Sequence, residues 1–116
     1  MIVPDKALFW IGSSRTDVRA FPSDARRTAG YQFRRVQKGL DPNDWKPISS
    51  VGASVREIRI RTGREHRVLY IAKFPEAVYE LHAFEKRTGK TRKRDLEVAR
   101  ERLRTLIMRR RNEDVP

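Results

Sequence analysis

Glu57, Arg59 and Arg61 stand at alternate positions of the run Val55-Arg56-Glu57-Ile58-Arg59-Ile60-Arg61. A strand period of two sends these three side chains to one sheet face and Ile58 and Ile60 to the other. One carboxylate among guanidinium groups is a set suited to phosphodiester chemistry. Arginine grips phosphate oxygens with a planar, bidentate fork, and a glutamate surrounded by cations stays ionised and can accept a proton. RNA can be cut without a metal when its own 2′-hydroxyl attacks the neighbouring phosphorus. The protein must then take that proton, stabilise the phosphorane and protonate the leaving 5′-oxygen. His82 rivals Glu57 as proton carrier, because a free imidazole titrates at about 6.5. Each has a plainer reading: Glu57 as a member of a salt bridge, and His82 as a packing histidine level with Phe84. His66, at a strand entrance, reads as a surface residue. Lys86, Lys90, Lys93 and Arg94 read as contacts to a nucleic-acid backbone, supplying charge without sequence preference. Tyr70, Phe84, Trp10 and Trp45 read as packing residues, since aromatics in amphipathic strands usually serve the core.

These side chains need a scaffold. Ala7 to Ile11 reads as a first strand ending at Gly12. Ser14-Arg15-Thr16-Asp17 has the form of a capping box with Asp in place of Glu, so a short helix with Val18 and Phe21 on its apolar edge is expected from Ser14. Pro22 suits the first turn of a second helix. Ala25, Ala29, Phe33 and Val36 carry its stripe to Lys38, and Gly39 stops it. Gly30 inside that helix costs about 1 kcal/mol against Ala, which predicts close helix-on-helix packing there. Residues 39 to 54 read as a loop anchored by Trp45. Strands follow over Val55–Arg61, His66–Lys73 and Ala77–Phe84. Thr91 is positioned to cap a final helix with Leu96, Ala99, Leu103, Leu106 and Ile107 as its buried stripe, fraying after Arg109-Arg110-Arg111. The expectation is one α+β domain over residues 1–116, flexible over 1–6 and 109–116, in the order β-α-α-β-β-β-α. Its sheet is expected to be antiparallel, with helices on one face and the opposite face open.

With 116 residues the chain supports one modest core. Apolar residues at 38% and charged residues at 36% fit a globular protein. A formal charge of +12 predicts salt-sensitive attraction to phosphate backbones or an acidic partner. From Lys86 to Arg111 twelve Lys or Arg face three Asp or Glu, so the charge is concentrated. The absence of cysteine excludes disulfides and thiolate zinc sites. No His/Asp/Glu cluster has metal-ligand spacing and no glycine-rich phosphate loop occurs, so no metal and no cofactor are expected. No apolar run has membrane-helix length and no signal-peptide pattern opens the chain; no membrane association and a cytoplasmic location are expected.

Several segments together resemble the RelE/HigB superfamily of toxins from type II toxin–antitoxin modules, most closely its phage-derived HigB-like branch. They are Leu8-Phe9-Trp10-Ile11-Gly12-Ser13-Ser14, Gly30-Tyr31-Gln32-Phe33, Val36-Gln37-Lys38-Gly39, Val55-Arg56-Glu57-Ile58-Arg59, Arg67-Val68-Leu69-Tyr70, Leu81 to Thr88, and Lys90-Thr91. The resemblance implies a RelE-like, microbial-RNase-like fold and an endoribonuclease that cuts messenger RNA on the ribosome. It also implies a cognate antitoxin, often of helix-turn-helix type. By motif position it puts Arg59, Arg61 and Arg67 on the active face, with Arg67 at the scissile phosphate, and Arg87 near the leaving group. Glutamate serves as base in some relatives and lysine in others. Two departures stand out: Lys86-Arg87 replaces a common Lys-Lys pair, and Arg92 follows Thr91 where relatives often carry proline. Two other readings stay open: a non-cleaving, ParE-like gyrase inhibitor, and a basic nucleic-acid-binding module without chemistry.

Overall fold

The computed structural model describes residues 4–87 and 93–113. Eight elements follow in chain order: β1 (Ala7–Trp10), α1 (Ser14–Arg19), α2 (Ser23–Gln37), β2 (Trp45–Pro47), β3 (Val55–Arg61), β4 (Glu65–Ile71), β5 (Ala77–Lys86) and α3 (Lys93–Glu113). The strands form one mixed sheet in the order β1-β5-β4-β3-β2. β1 lies parallel to β5, while β2, β3, β4 and β5 pair antiparallel in succession.

The α+β class agrees with the sequence reading, and four details differ. The expected wholly antiparallel sheet is mixed, because the chain crosses through the two-helix segment before β5 returns beside β1. The expected loop over 39–54 contains β2, an edge strand three residues long. Pro47 is tolerated there because an edge strand has an N–H side with no ladder bond to lose. The helices do not share one face. α1 and α2 cover Ile58, Ile60, Val68, Tyr70 and Val78, whereas Ala99, Leu103 and Leu106 of α3 pack on Val55, Leu69, Ile71 and Leu81 from the other side. Finally, α3 runs to Glu113, two residues past the Arg109-Arg110-Arg111 run after which fraying is expected. Arg110 fixes that end by reaching Glu76 at 2.8 and 3.1 Å and lying 3.7 Å over the Phe74 ring. The Glu76 carboxyl is held down to about 2, chiefly by this Arg110 hydrogen bond.

Local signals explain most elements. Val18, Phe21, Ala25, Ala29, Phe33 and Val36 bury the inner edges of α1 and α2. At the end of α2, Gly39 takes φ +86, its N–H bonds the Val36 carbonyl and the Leu40 N–H bonds that of Arg35. This double bond around a left-handed residue is how helices commonly stop at glycine. Ser14 starts α1 where expected, but its hydroxyl does not cap the helix. It is buried and donates to the Glu80 carbonyl at 3.0 Å, tying α1 to β5. Gly30 also departs from expectation: a β-carbon there would meet nothing within 4 Å, so no helix packing compensates it. Ile107 lies at the edge of the α3 stripe, 37% exposed. The Thr91 cap lies outside the described residues.

Candidate nucleic-acid interface

Three cross-strand rows make up the polar part of the α3-side face. His82, Leu69, Glu57 and Lys46 are in register across β5, β4, β3 and β2. Phe84, Arg67 and Arg59 form the next row, and Lys86, Glu65 and Arg61 the last. α3 covers the apolar end of this face and leaves the polar rows beyond its first turns. The alternation read in Val55–Arg61 thus brings Glu57, Arg59, Arg61 and Arg67 onto one surface.

Their surroundings were not legible in the chain. Glu57 is fully buried and accepts from Arg67 Nη1 at 2.5 Å, with Lys46 Nζ 3.7 Å away. Arg67 is itself 2% exposed, and its Nη2 donates to Glu65. Arg59 stands 3.1 Å from Asp44, and Arg61 lies 3.5 Å from Glu65 and 3.9 Å from Asp44. Every arginine of the set therefore has a carboxylate neighbour. The surface combines five cations (Lys46, Arg59, Arg61, Arg67, Lys86) with three carboxylates (Asp44, Glu57, Glu65). Exposure sorts them by reach. Arg61 has 61% of its side chain in solvent and Lys46 40%, against 3% for Arg67. Arg61 and Lys46 are thus open to solvent, while Arg67 lies buried against Glu57 and Glu65.

Burial lowers the Lys86 ammonium, and the charge of Arg67 lowers it further against the pull of Glu65 and Glu57. Glu65 is raised by burial, but Arg67, Lys86 and Arg61 outweigh that and hold it below the usual carboxylate range. Lysine with a depressed pKa is better matched to proton transfer near neutrality than an ordinary one.

His82 lies on this face, stacked on Phe84 at 5.2 Å. Its Nε2 is 2.8 Å from Asp95 Oδ1 and its Nδ1 is 3.4 Å from Arg102 Nη1. A guanidinium can only donate, so Nδ1 accepts and Nε2 carries the proton given to Asp95. With both ring nitrogens engaged, His82 joins β5 to the first turns of α3 rather than facing a substrate. Arg102 strengthens that joint by donating to the Leu81 carbonyl at 2.9 Å and to Ser13 Oγ at 2.8 Å. His82→Ala should lower stability by about 1–2 kcal/mol through loss of these bonds. Amide exchange should accelerate first at Arg94–Val98; unchanged protection there would show that the imidazole does not hold the helix.

The remaining candidates lie apart. Arg87 has a side chain 72% exposed, 3.5 Å from Glu85. Lys93 and Arg94 are exposed on α3, with Lys93 3.9 Å from Glu97. Lys90 lies outside the described residues. His66 is not the surface residue its position suggested: it is 2% exposed, packs 4.4 Å from the Phe21 ring, and burial lowers its pKa. Tyr70 and Phe84 are in the core as expected. Sequence reasoning missed Lys46, whose strand was read as loop, and Asp95 and Arg102, which lie seven apart and so share a helix face. Among the described residues no three His, Cys, Asp or Glu side chains group as a metal site requires, and no helix is long and apolar enough to cross a membrane.

Among known families, the one described as Phage derived protein Gp49-like (DUF891) matches residues 16–104. Comparison with curated proteins gives no match.

Proposed function

Because the chain belongs to the Gp49-like phage-derived family, a toxin-like family related to the RelE/HigB group, we propose that it is the toxin of a toxin–antitoxin module, with a RelE-like fold and endoribonuclease activity on ribosome-bound messenger RNA. The observation that carries this reading is the cluster of outer cations around the Arg67–Glu57 pair. A phosphodiester bears a single charge, and Arg59, Arg61 and Lys86 offer donors without drawing on the buried arginine. In the proposed mechanism the 2′-oxygen bonds to phosphorus, Arg59 and Arg61 hold the non-bridging oxygens as negative charge builds on them, and the P–O5′ bond breaks to leave a 2′,3′-cyclic phosphate. Lys86, with its lowered pKa, takes the 2′-hydroxyl proton and returns it to the leaving 5′-oxygen. Arg67 keeps Glu57 and Glu65 in place, so that the outer groups meet the phosphate in a fixed arrangement. Lys93 and Arg94 engage the neighbouring backbone, with Arg87 toward the leaving-group side. The messenger RNA, the ribosome and a cognate antitoxin are the proposed partners, and the cytoplasm the place of action.

The test uses translating ribosomes on a reporter message with purified protein. Cuts in the A-site codon are expected, and Arg61→Ala and Lys86→Met should each slow them at least about tenfold with an unchanged melting temperature. Undiminished cutting by both variants would remove the outer cations from the mechanism. One observation favours the ParE-like alternative: Glu57 is wholly buried and both ring nitrogens of His82 are engaged, which leaves Lys86 to carry the proton chemistry. A DNA-damage response with intact messages on expression would favour that alternative.

A further inference from the structure

A second basic region lies on the opposite side of the sheet. Between α1, α2 and β1 a cleft of about 300 Å³ has Leu8, Trp10, Val18 and Phe33 as its apolar lining. Arg15, Arg19, Arg26 and Arg34 border it. Unlike the arginines of the other face, these four have no carboxylate within ion-pair distance among the described residues; Arg26 donates only to the Arg19 carbonyl at 3.2 Å. Gly30 also lines the cleft, exposed in the middle of α2 with open space where its β-carbon would be. A helix-interior glycine costs about 0.5–1 kcal/mol, and nothing within the chain packs there to offset it. Its effect is to leave open space in the cleft wall where a side chain would stand.

We propose that this cleft is the docking site for an acidic amphipathic helix of a partner protein, its aliphatic side chains entering over Gly30 and its carboxylates meeting the four arginines. The identification of that partner as the antitoxin rests on the function proposed above; the docking chemistry does not. Charge complementarity selects the occupant. A second copy of a chain of net charge +12 is repelled, and a concave cleft between two helices does not suit a flat lipid surface. Nucleic acid would satisfy the arginines but leave the aliphatic lining without a fitting group, whereas a helix with apolar residues three and four apart supplies both.

The experiment measures binding of a labelled synthetic helix, with Leu on one face and Glu elsewhere, to the full chain. A Lys-for-Glu counterpart and a single-stranded RNA serve as comparison probes. The acidic helix should bind with affinity that falls as salt rises, and the Lys counterpart should not bind. Gly30→Trp fills the cleft, and Arg19→Glu with Arg34→Glu inverts its rim; each should weaken the acidic helix by about tenfold or more. Gly30→Ala, too small to obstruct, should bind as wild type and melt higher, separating occlusion from misfolding. Cutting of ribosome-bound messenger RNA should be unaffected by Gly30→Trp. Equal affinity for the acidic helix in wild type and Gly30→Trp overturns the proposal, as does loss of RNA binding in that variant without loss of helix binding. If no RNA is cut but Gly30→Trp abolishes helix binding, the nuclease reading fails and the docking site stands.

Discussion

Arg67→Ala is expected to lower folding stability by about 3–5 kcal/mol, the cost of removing one member of a buried ion pair. Glu57 is fully buried, and the substitution takes away the Nη1 donor 2.5 Å from its carboxylate, a much closer cation than Lys46 at 3.7 Å. Glu65 loses a donor as well. A small domain has only about 5–15 kcal/mol in hand, so a large part of the protein should be unfolded in moderate denaturant. Equilibrium urea unfolding measures this. The double variant Arg67→Met with Glu57→Leu should recover most of the loss, because apolar groups of similar volume carry no charge that burial penalises. An Arg67→Ala protein as stable as wild type would show that Glu57 does not depend on this partner. The expectation also governs how the nuclease reading is tested. Loss of cutting in Arg67→Ala would report unfolding, whereas Arg61 and Lys86, at the surface, can be changed without it.

Glu80→Met should raise stability at neutral pH by about 1–3 kcal/mol, the desolvation cost of a buried polar group with no bond. Glu80 is wholly buried on the α1–α2 side, and neither carboxylate oxygen has a hydrogen-bond partner among the described residues. Its backbone is well used, since its carbonyl accepts from Ile11 N–H at 3.0 Å and from Ser14 Oγ at 3.0 Å. The substitution leaves those bonds alone. Burial pushes the carboxyl well above its usual 4.5. The folded state therefore binds the proton more tightly than the unfolded chain. The favourable contribution is complete below about 4.5, where both states are protonated, and is lost as pH rises toward the raised folded value. Wild type should lose stability over that interval more steeply than Glu80→Met, and Glu80→Gln should show the flatter profile with a smaller gain. Denaturant midpoints across pH check the prediction, and parallel profiles for the three proteins would overturn it.

The elements that the chain announced are those whose period is intrinsic. Val55–Arg61 alternates cleanly, and the structure places that strand with the bounds and the division of faces its sequence implied. The stripe Ala25, Ala29, Phe33, Val36 and the stop at Gly39 gave α2 almost residue by residue. What stayed hidden depends on partners remote in sequence. Val68-Leu69-Tyr70-Ile71 is a continuous apolar run, the mark of a central strand covered on both faces; read as half of an amphipathic sheet, it concealed the second helical layer. β2 has three residues and a proline, too short to show alternation. At the candidate site the shared face was legible and the neutralisation was not, because Asp44 and Glu65 approach Arg59, Arg61 and Arg67 only through turns and cross-strand register. His82 and His66 illustrate the same limit: their burial is decided by Asp95, Arg102 and Phe21, all far along the chain.

The parallel pairing of β1 with β5 joins residues about seventy positions apart. Contacts that close so long a stretch of chain form slowly, since the intervening entropy must be lost first. During synthesis, Leu8 and Trp10 emerge early and wait without their strand neighbour until Val78 and Glu80 have been added. The antiparallel β3–β4–β5 meander can assemble meanwhile from local hairpins, so β1 is expected to anneal after it. A newly made molecule is therefore expected to assemble its cationic strands β3 to β5 before β1 takes its place at the edge.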